Sequence, residues 1–149
     1  MKRPPAVWLT QTLLLIFALL WLGVLLLNLV MLPDRVGRGA SIIGAMVGVA
    51  IILSFVLLLV IAFWGLAKRK MFGRWLGLIS LILLWVLFAI TQYFPPAGPW
   101  KRYEFDNTAQ LVGATIFQAC VHGLFLVLIL RLGFARNMAE FFRKDVDSA

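Results

Sequence analysis

The run 40-ASIIGAMVGVAIILSFVLLLVIAFWGLA-67 carries no charged side chain, and Ser41 and Ser54 are its only polar interruptions apart from glycines. A helix needs about 20 predominantly apolar residues to cross a hydrocarbon layer of about 30 Å, and this run exceeds that length. Three further blocks read the same way. Ala6 to Leu32 is interrupted by Thr10, Gln11, Thr12 and Asn28; Trp75 to Phe94 by Ser80, Thr91 and Gln92; and Ala109 to Leu130 by Gln110, Thr115, Gln118, Cys120 and His122. Backbone N–H and C=O groups in hydrocarbon must be satisfied within the segment, and a barrel would show segments of about 10 alternating residues. The pattern predicts an all-α integral membrane protein: four transmembrane helices, about 6–32, 40–67, 73–94 and 109–131, in an antiparallel bundle forming one domain over 1–149.

Composition agrees. Hydrophobic residues make up 63% and charged residues 13%, against about 45–50% and about 25% in soluble domains, and the mean hydropathy is +1.00. The start, MKRPPAVWLTQTLLLIFALL, has the basic opening of a secretory signal. Its apolar core outruns the about 7–15 residues of such signals, and Trp21 and Asn28 stand where small cleavage-site residues belong, so it reads as an uncleaved first helix.

Orientation follows from the basic residues. Lys2, Arg3, Lys68, Arg69, Lys70, Arg74, Arg131, Arg136, Arg143 and Lys144 fall on one side; Arg35, Arg38, Lys101 and Arg102 fall on the other. The positive-inside rule then places both termini in the cytoplasm of a bacterium, the chain crossing its inner membrane several times. The net charge of +8 is thus an insertion signal and an attraction to anionic headgroups; no soluble surface is expected to carry nucleic acid. Trp8, Trp64 and Trp75 fall near the cytoplasmic boundary and Tyr93, Trp100 and Tyr103 near the outer one, as interfacial aromatics do. Trp21 and Trp85 lie mid-helix and need packing partners.

The connections 33–39 and 68–74 are short enough to force hairpins. The longer 95-PPAGPWKRYEFDNT-108 is expected outside, with Asp106 or Asn107 able to cap the fourth helix. The tail over 134–144 places Phe134, Met138, Phe141 and Phe142 at helical spacing among Arg136, Glu140, Arg143 and Lys144. It reads as an amphipathic helix lying in the membrane interface, with docking to a cytoplasmic partner as the other use of such a face.

Small residues let helices approach in lipid, where no hydrophobic force draws them together. Ala40, Gly44 and Gly48 form a three-member stripe on the second helix, serving as an intramolecular seam or a dimer face; Gly73 with Gly77, and small-residue pairs on the fourth helix, are weaker versions.

Function is bounded mainly by charge. Asp34, Glu104, Asp106, Glu140, Asp145 and Asp147 all lie in loops or the tail, whereas cation-coupled carriers hold their ion on an acidic residue inside the membrane. Cys120 and His122, two residues apart, point away from each other on a helix, and a single cysteine excludes redox exchange through a pair. No metal site or catalytic residue set emerges. The candidate site is a polar stripe on the fourth helix: Thr115, Gln118 and His122 share about 80° of arc with Thr108. One reading makes it interhelical glue, with Gln118 bonding Ser54 and His122 joining them. The other makes it a cofactor site: a haem, whose second axial histidine would have to come from another subunit, or a quinone or lipid held by hydrogen bond among Phe117, Phe125 and Trp85. The chain thus reads as a structural or accessory membrane component, contacting membrane lipids and itself or a larger complex, with the ligand-binding subunit as the alternative.

Overall fold

In a computed structural model, residues 4–39, 41–93 and 108–143 are described. They form α1 (Pro5–Val30), α2 (Leu32–Gly37), α3 (Ile42–Ala67), α4 (Met71–Tyr93), α5 (Thr108–Phe134) and α6 (Arg136–Arg143). The expectations for Ala40, for the 95–108 loop except Thr108, and for the side chains of Tyr93, Arg136 and Arg143 lie outside what is described. The architecture is an all-α antiparallel four-helix bundle: α1 packs on α3, α3 on α4 and α4 on α5, with lighter contact from α1 to α4 and α5. The four long helices are each long and apolar enough to cross a membrane.

Several boundaries differ from the sequence reading, each for a local reason. The first connection is itself helical, since Pro33 suits the first turn of α2 and Asp34 lies in that turn, where its charge favours the helix N-terminus. Asp34 also pairs with exposed Arg38 at 3.3 Å. Ser41 caps α3 by accepting from the Gly44 N–H at 3.4 Å. α4 starts at Met71 instead of 73, and α5 continues to Phe134, past the expected 131; Arg74 and Arg131 lie inside these helices, so neither is free of charge.

The α3–α4 hairpin shows how tightly two helices are drawn together. The Lys70 N–H donates to Gly65 O at 3.0 Å and the Arg69 N–H to Leu66 O at 3.2 Å, the paired bonds of a Schellman cap. Such a cap needs a left-handed residue, here Arg69 at φ 54°. The turn then lays Gly73 directly on Gly65: a Cβ built on Gly65 would sit 2.6 Å from Gly73 Cα, and one built on Gly73 would strike the Gly65 carbonyl carbon. At the described positions of the small-residue stripe, a Cβ on Gly48 meets nothing within 4 Å, and one on Gly44 meets only its own cap residue, Ser41. Neither glycine makes a close intrachain helix contact among the described residues.

Burial is concentrated at the end where the α3–α4 turn lies. Val7, Thr10 and Leu14 of α1, Leu59, Ala62 and Leu66 of α3, Ser80, Leu81 and Leu84 of α4, and Phe125, Leu128 and Leu132 of α5 are buried. Trp21 finds its partner in Phe55, edge to face at 5.1 Å.

At this closed end α6 packs onto the bundle. Its apolar face, Met138, Phe141 and Phe142, joins the core cluster, with Phe142 at 0% exposure. The same periodicity serves either surface, and here the mouth of the bundle provides the nearer one. Arg69 secures the dock, its guanidinium 4.8 Å from the Phe141 ring centroid, a cation–π contact.

These contacts rank the glycines. Gly73→Ala should destabilise the protein by about 1–3 kcal/mol through overpacking, while Gly48→Ala should be neutral or mildly stabilising. Thermal unfolding of the full chain in mild detergent measures both, and equal midpoints for the two variants would contradict the hairpin geometry.

Candidate functional site

The candidate site lies on the α4–α5 seam. There α4 and α5 are stitched by three sets of side-chain hydrogen bonds. At the closed end, Arg74 Nε donates to Leu132 O at 2.8 Å and Nη2 to Gly133 O at 2.6 Å. Further along, Trp85 Nε1 donates to His122 Nδ1 at 2.8 Å. Nearest the other end, Gln118 Nε2 donates to Gln92 Oε1 at 2.7 Å. The antiparallel register makes this possible: as α4 rises from 74 to 92, α5 descends from 133 to 118.

His122 is half-buried, with Phe88 edge-on at 5.4 Å and Trp85 at 6.2 Å between ring centroids. Indole can only donate, so the bond from Trp85 requires Nδ1 to offer its lone pair, and the proton of the neutral ring then resides on Nε2. That tautomer has a definite chemistry. Nε2–H donates to an oxygen, such as a quinone or ester carbonyl, but has no lone pair for iron; haem ligation through Nε2 would require moving the proton to Nδ1 and breaking the Trp85 bond. Among the described residues Nε2 has no acceptor.

The other candidates separate. Gln118 is in the seam, though its partner is Gln92 and not Ser54, whose hydroxyl donates to Ala50 O of its own helix at 2.8 Å. Thr115 likewise turns back to Leu111 O at 2.9 Å, because a threonine in a helix finds its own preceding carbonyl more readily than a neighbouring helix. The proposed aromatic pocket is not assembled as expected: Phe117 is exposed, Phe125 is buried in the core, and the rings in contact with His122 are Trp85 and Phe88. Cys120 is exposed. No group of three His, Cys, Asp or Glu side chains able to hold a metal ion occurs among the described residues.

Sequence reasoning missed Arg74, placing it in a loop as an insertion signal. The residue is 7% exposed, and its guanidinium is occupied with α5. The available signal was its place next to Gly73, where a close approach would bury whatever follows. Thr10 and Ser80 were also passed over; both are buried, and Thr10 Oγ1 and Ser80 Oγ find no partner among the described residues. Compared with family models, curated proteins and solved structures, the chain matches none. The class rests on the length and composition of the four apolar helices, which fit a small multi-pass membrane protein.

If the Trp85–His122 bond stitches the seam, Trp85→Phe and His122→Leu should each cost on the order of 1 kcal/mol, and the double variant little more than either single one. A double-mutant cycle of unfolding in detergent should give a coupling of about 0.6–2 kcal/mol; strict additivity would mean that the two residues act independently.

Proposed function

We propose that this chain is a non-enzymatic accessory protein of the bacterial cytoplasmic membrane, with both termini in the cytoplasm, acting through lateral helix contacts with copies of itself or with a larger membrane complex. The observation that carries this reading is the mutual satisfaction of the polar seam. Trp85 with His122, and Gln92 with Gln118, direct their hydrogen bonds at each other across α4 and α5, as interhelical glue does, while the outward face bearing Gly44 and Gly48 is unoccupied within the chain. The orientation rests on the end where Lys68, Arg69, Lys70, Arg74 and Arg131 gather, in keeping with the positive-inside rule.

A second reading rests on one atom. Nε2–H of His122 has no acceptor among the described residues, and a quinone or a lipid ester would supply one. The two readings differ in what accompanies the purified protein. Native mass spectrometry in mild detergent should find an oligomer or a co-purifying polypeptide, diminished in Gly44→Leu and Gly48→Leu. A monomer carrying a stoichiometric small molecule that is lost in His122→Gln would replace the first reading with the second.

Topology has its own test. In a Cys120→Ala background, an impermeant thiol reagent added to intact cells should label a cysteine placed at Gly39 and spare one placed at Lys68. The reverse pattern would invert the orientation.

A further inference from the structure

The corner where α5 gives way to α6 bears an open groove of about 460 Å³ lined by Val127, Leu130, Arg131, Phe134 and Ala135. It faces away from the bundle: Leu128 and Leu132 of the same turns are buried, whereas Phe134 is 79% exposed. The volume falls in the range of about 300–1,000 Å³ typical of small-ligand clefts.

Its charge is unlike that of the other arginines whose contacts are described. Arg35 donates to Asn28 at 2.9 Å, Arg38 pairs with Asp34, Arg69 stacks on Phe141, and Arg74 caps α5. Arg131 alone among them has no acceptor or ring partner among the described residues, and it stands at the rim of an apolar surface. Its depth is marked by its neighbour Leu132, whose carbonyl Arg74 holds, and by Trp8, Trp64 and Trp75, all exposed at the same end of the bundle. Exposed tryptophans at one level mark the headgroup boundary, so the groove runs from hydrocarbon depth at Val127 to headgroup depth at Phe134 and Ala135, with its cation midway between them.

We propose that this groove seats one anionic phospholipid, its phosphate on the Arg131 guanidinium, the first part of an acyl chain along Val127 and Leu130, and Phe134 flanking the headgroup beyond the phosphate. The inference deepens the membrane reading above and depends on it. Arginine suits the role because its planar fork meets phosphate oxygens in a bidentate manner. Lys68 and Lys70, exposed at the same end, attract the same headgroups diffusely; the groove adds a particular seat.

The test uses the full-length protein in mild detergent, titrated with phosphatidylglycerol and with phosphatidylcholine of identical chains and read by native mass spectrometry. Phosphatidylglycerol should bind about fivefold more tightly, the equivalent of about 1 kcal/mol for one basic residue at the surface. Arg131→Gln should bring that ratio close to one with an unchanged unfolding midpoint, Lys70→Gln should preserve it, and Phe134→Ala should weaken both lipids together. Preference retained in Arg131→Gln, or lost equally in Lys70→Gln, would overturn the site. Displacement of the lipid by glycerol phosphate would also overturn it, showing a seat for a free phosphate without a chain. Carbonate washing of membranes separates the underlying reading: release of the protein into the aqueous fraction would defeat the membrane assignment and the lipid site together, whereas a retained protein without Arg131-dependent preference defeats the site alone.

Discussion

The guanidinium of Arg74 takes the carbonyls of Leu132 and Gly133, which a continuing α5 would offer to the N–H groups of residues 136 and 137. With those acceptors engaged by a side chain from α4, the helix ends at Phe134, Ala135 makes the corner, and α6 sets off in a new direction toward the mouth of the bundle. A cation at a helix C-terminus is favoured by the helix dipole as well as by the bonds themselves. Burial raises the stakes: two carbonyls and a guanidinium left unmet in an apolar surround would each carry a desolvation penalty. One side chain thus ties α4 to α5 and sets where α6 begins.

Around that tie the bundle divides its labour. The α3–α4 contact depends on shape, with Gly65 against Gly73 and no room for a Cβ on either. The α4–α5 contact depends on hydrogen bonds, running from Arg74 through Trp85 and His122 to Gln92 and Gln118. This division is sensible where lipid surrounds the helices, because burying another leucine gains little over leaving it in hydrocarbon, whereas close packing and polar pairs remain effective. It also explains why burial gathers at one end. There the glycine contact, the Arg74 cap and the docked α6 coincide, and beyond Phe125 toward the start of α5 the seam relies on the two remaining polar pairs.

The existence of four helices was legible in the sequence because uncharged runs of this length admit almost no other arrangement. The pairing of individual side chains was not. His122 and Gln118 stood out as polar residues on one arc, yet their partners Trp85 and Gln92 depend on the α4–α5 register, which periodicity on one helix does not contain. Gly44 and Gly48 made the more regular pattern, but the intramolecular approach fell to Gly65 and Gly73, since a tight Schellman turn dictates which residues face each other immediately after it. The α6 face was legible as amphipathic; that it folds onto its own bundle follows from the corner at Ala135, which follows from Arg74, and an arginine beside a turn looks the same in sequence whether it faces headgroups or caps a neighbouring helix.

The most direct measurement is amide hydrogen exchange, resolved by peptide, on the wild-type chain and Arg74→Met in the same detergent. If the Arg74 cap organises the corner, the variant should lose protection by about tenfold or more at the end of α5 and through α6, consistent with about 1.5–3 kcal/mol for hydrogen bonds to a charged group, while α1 and α3 exchange as before. Wild-type protection retained in α6, or an even loss across all the helices, would contradict the account.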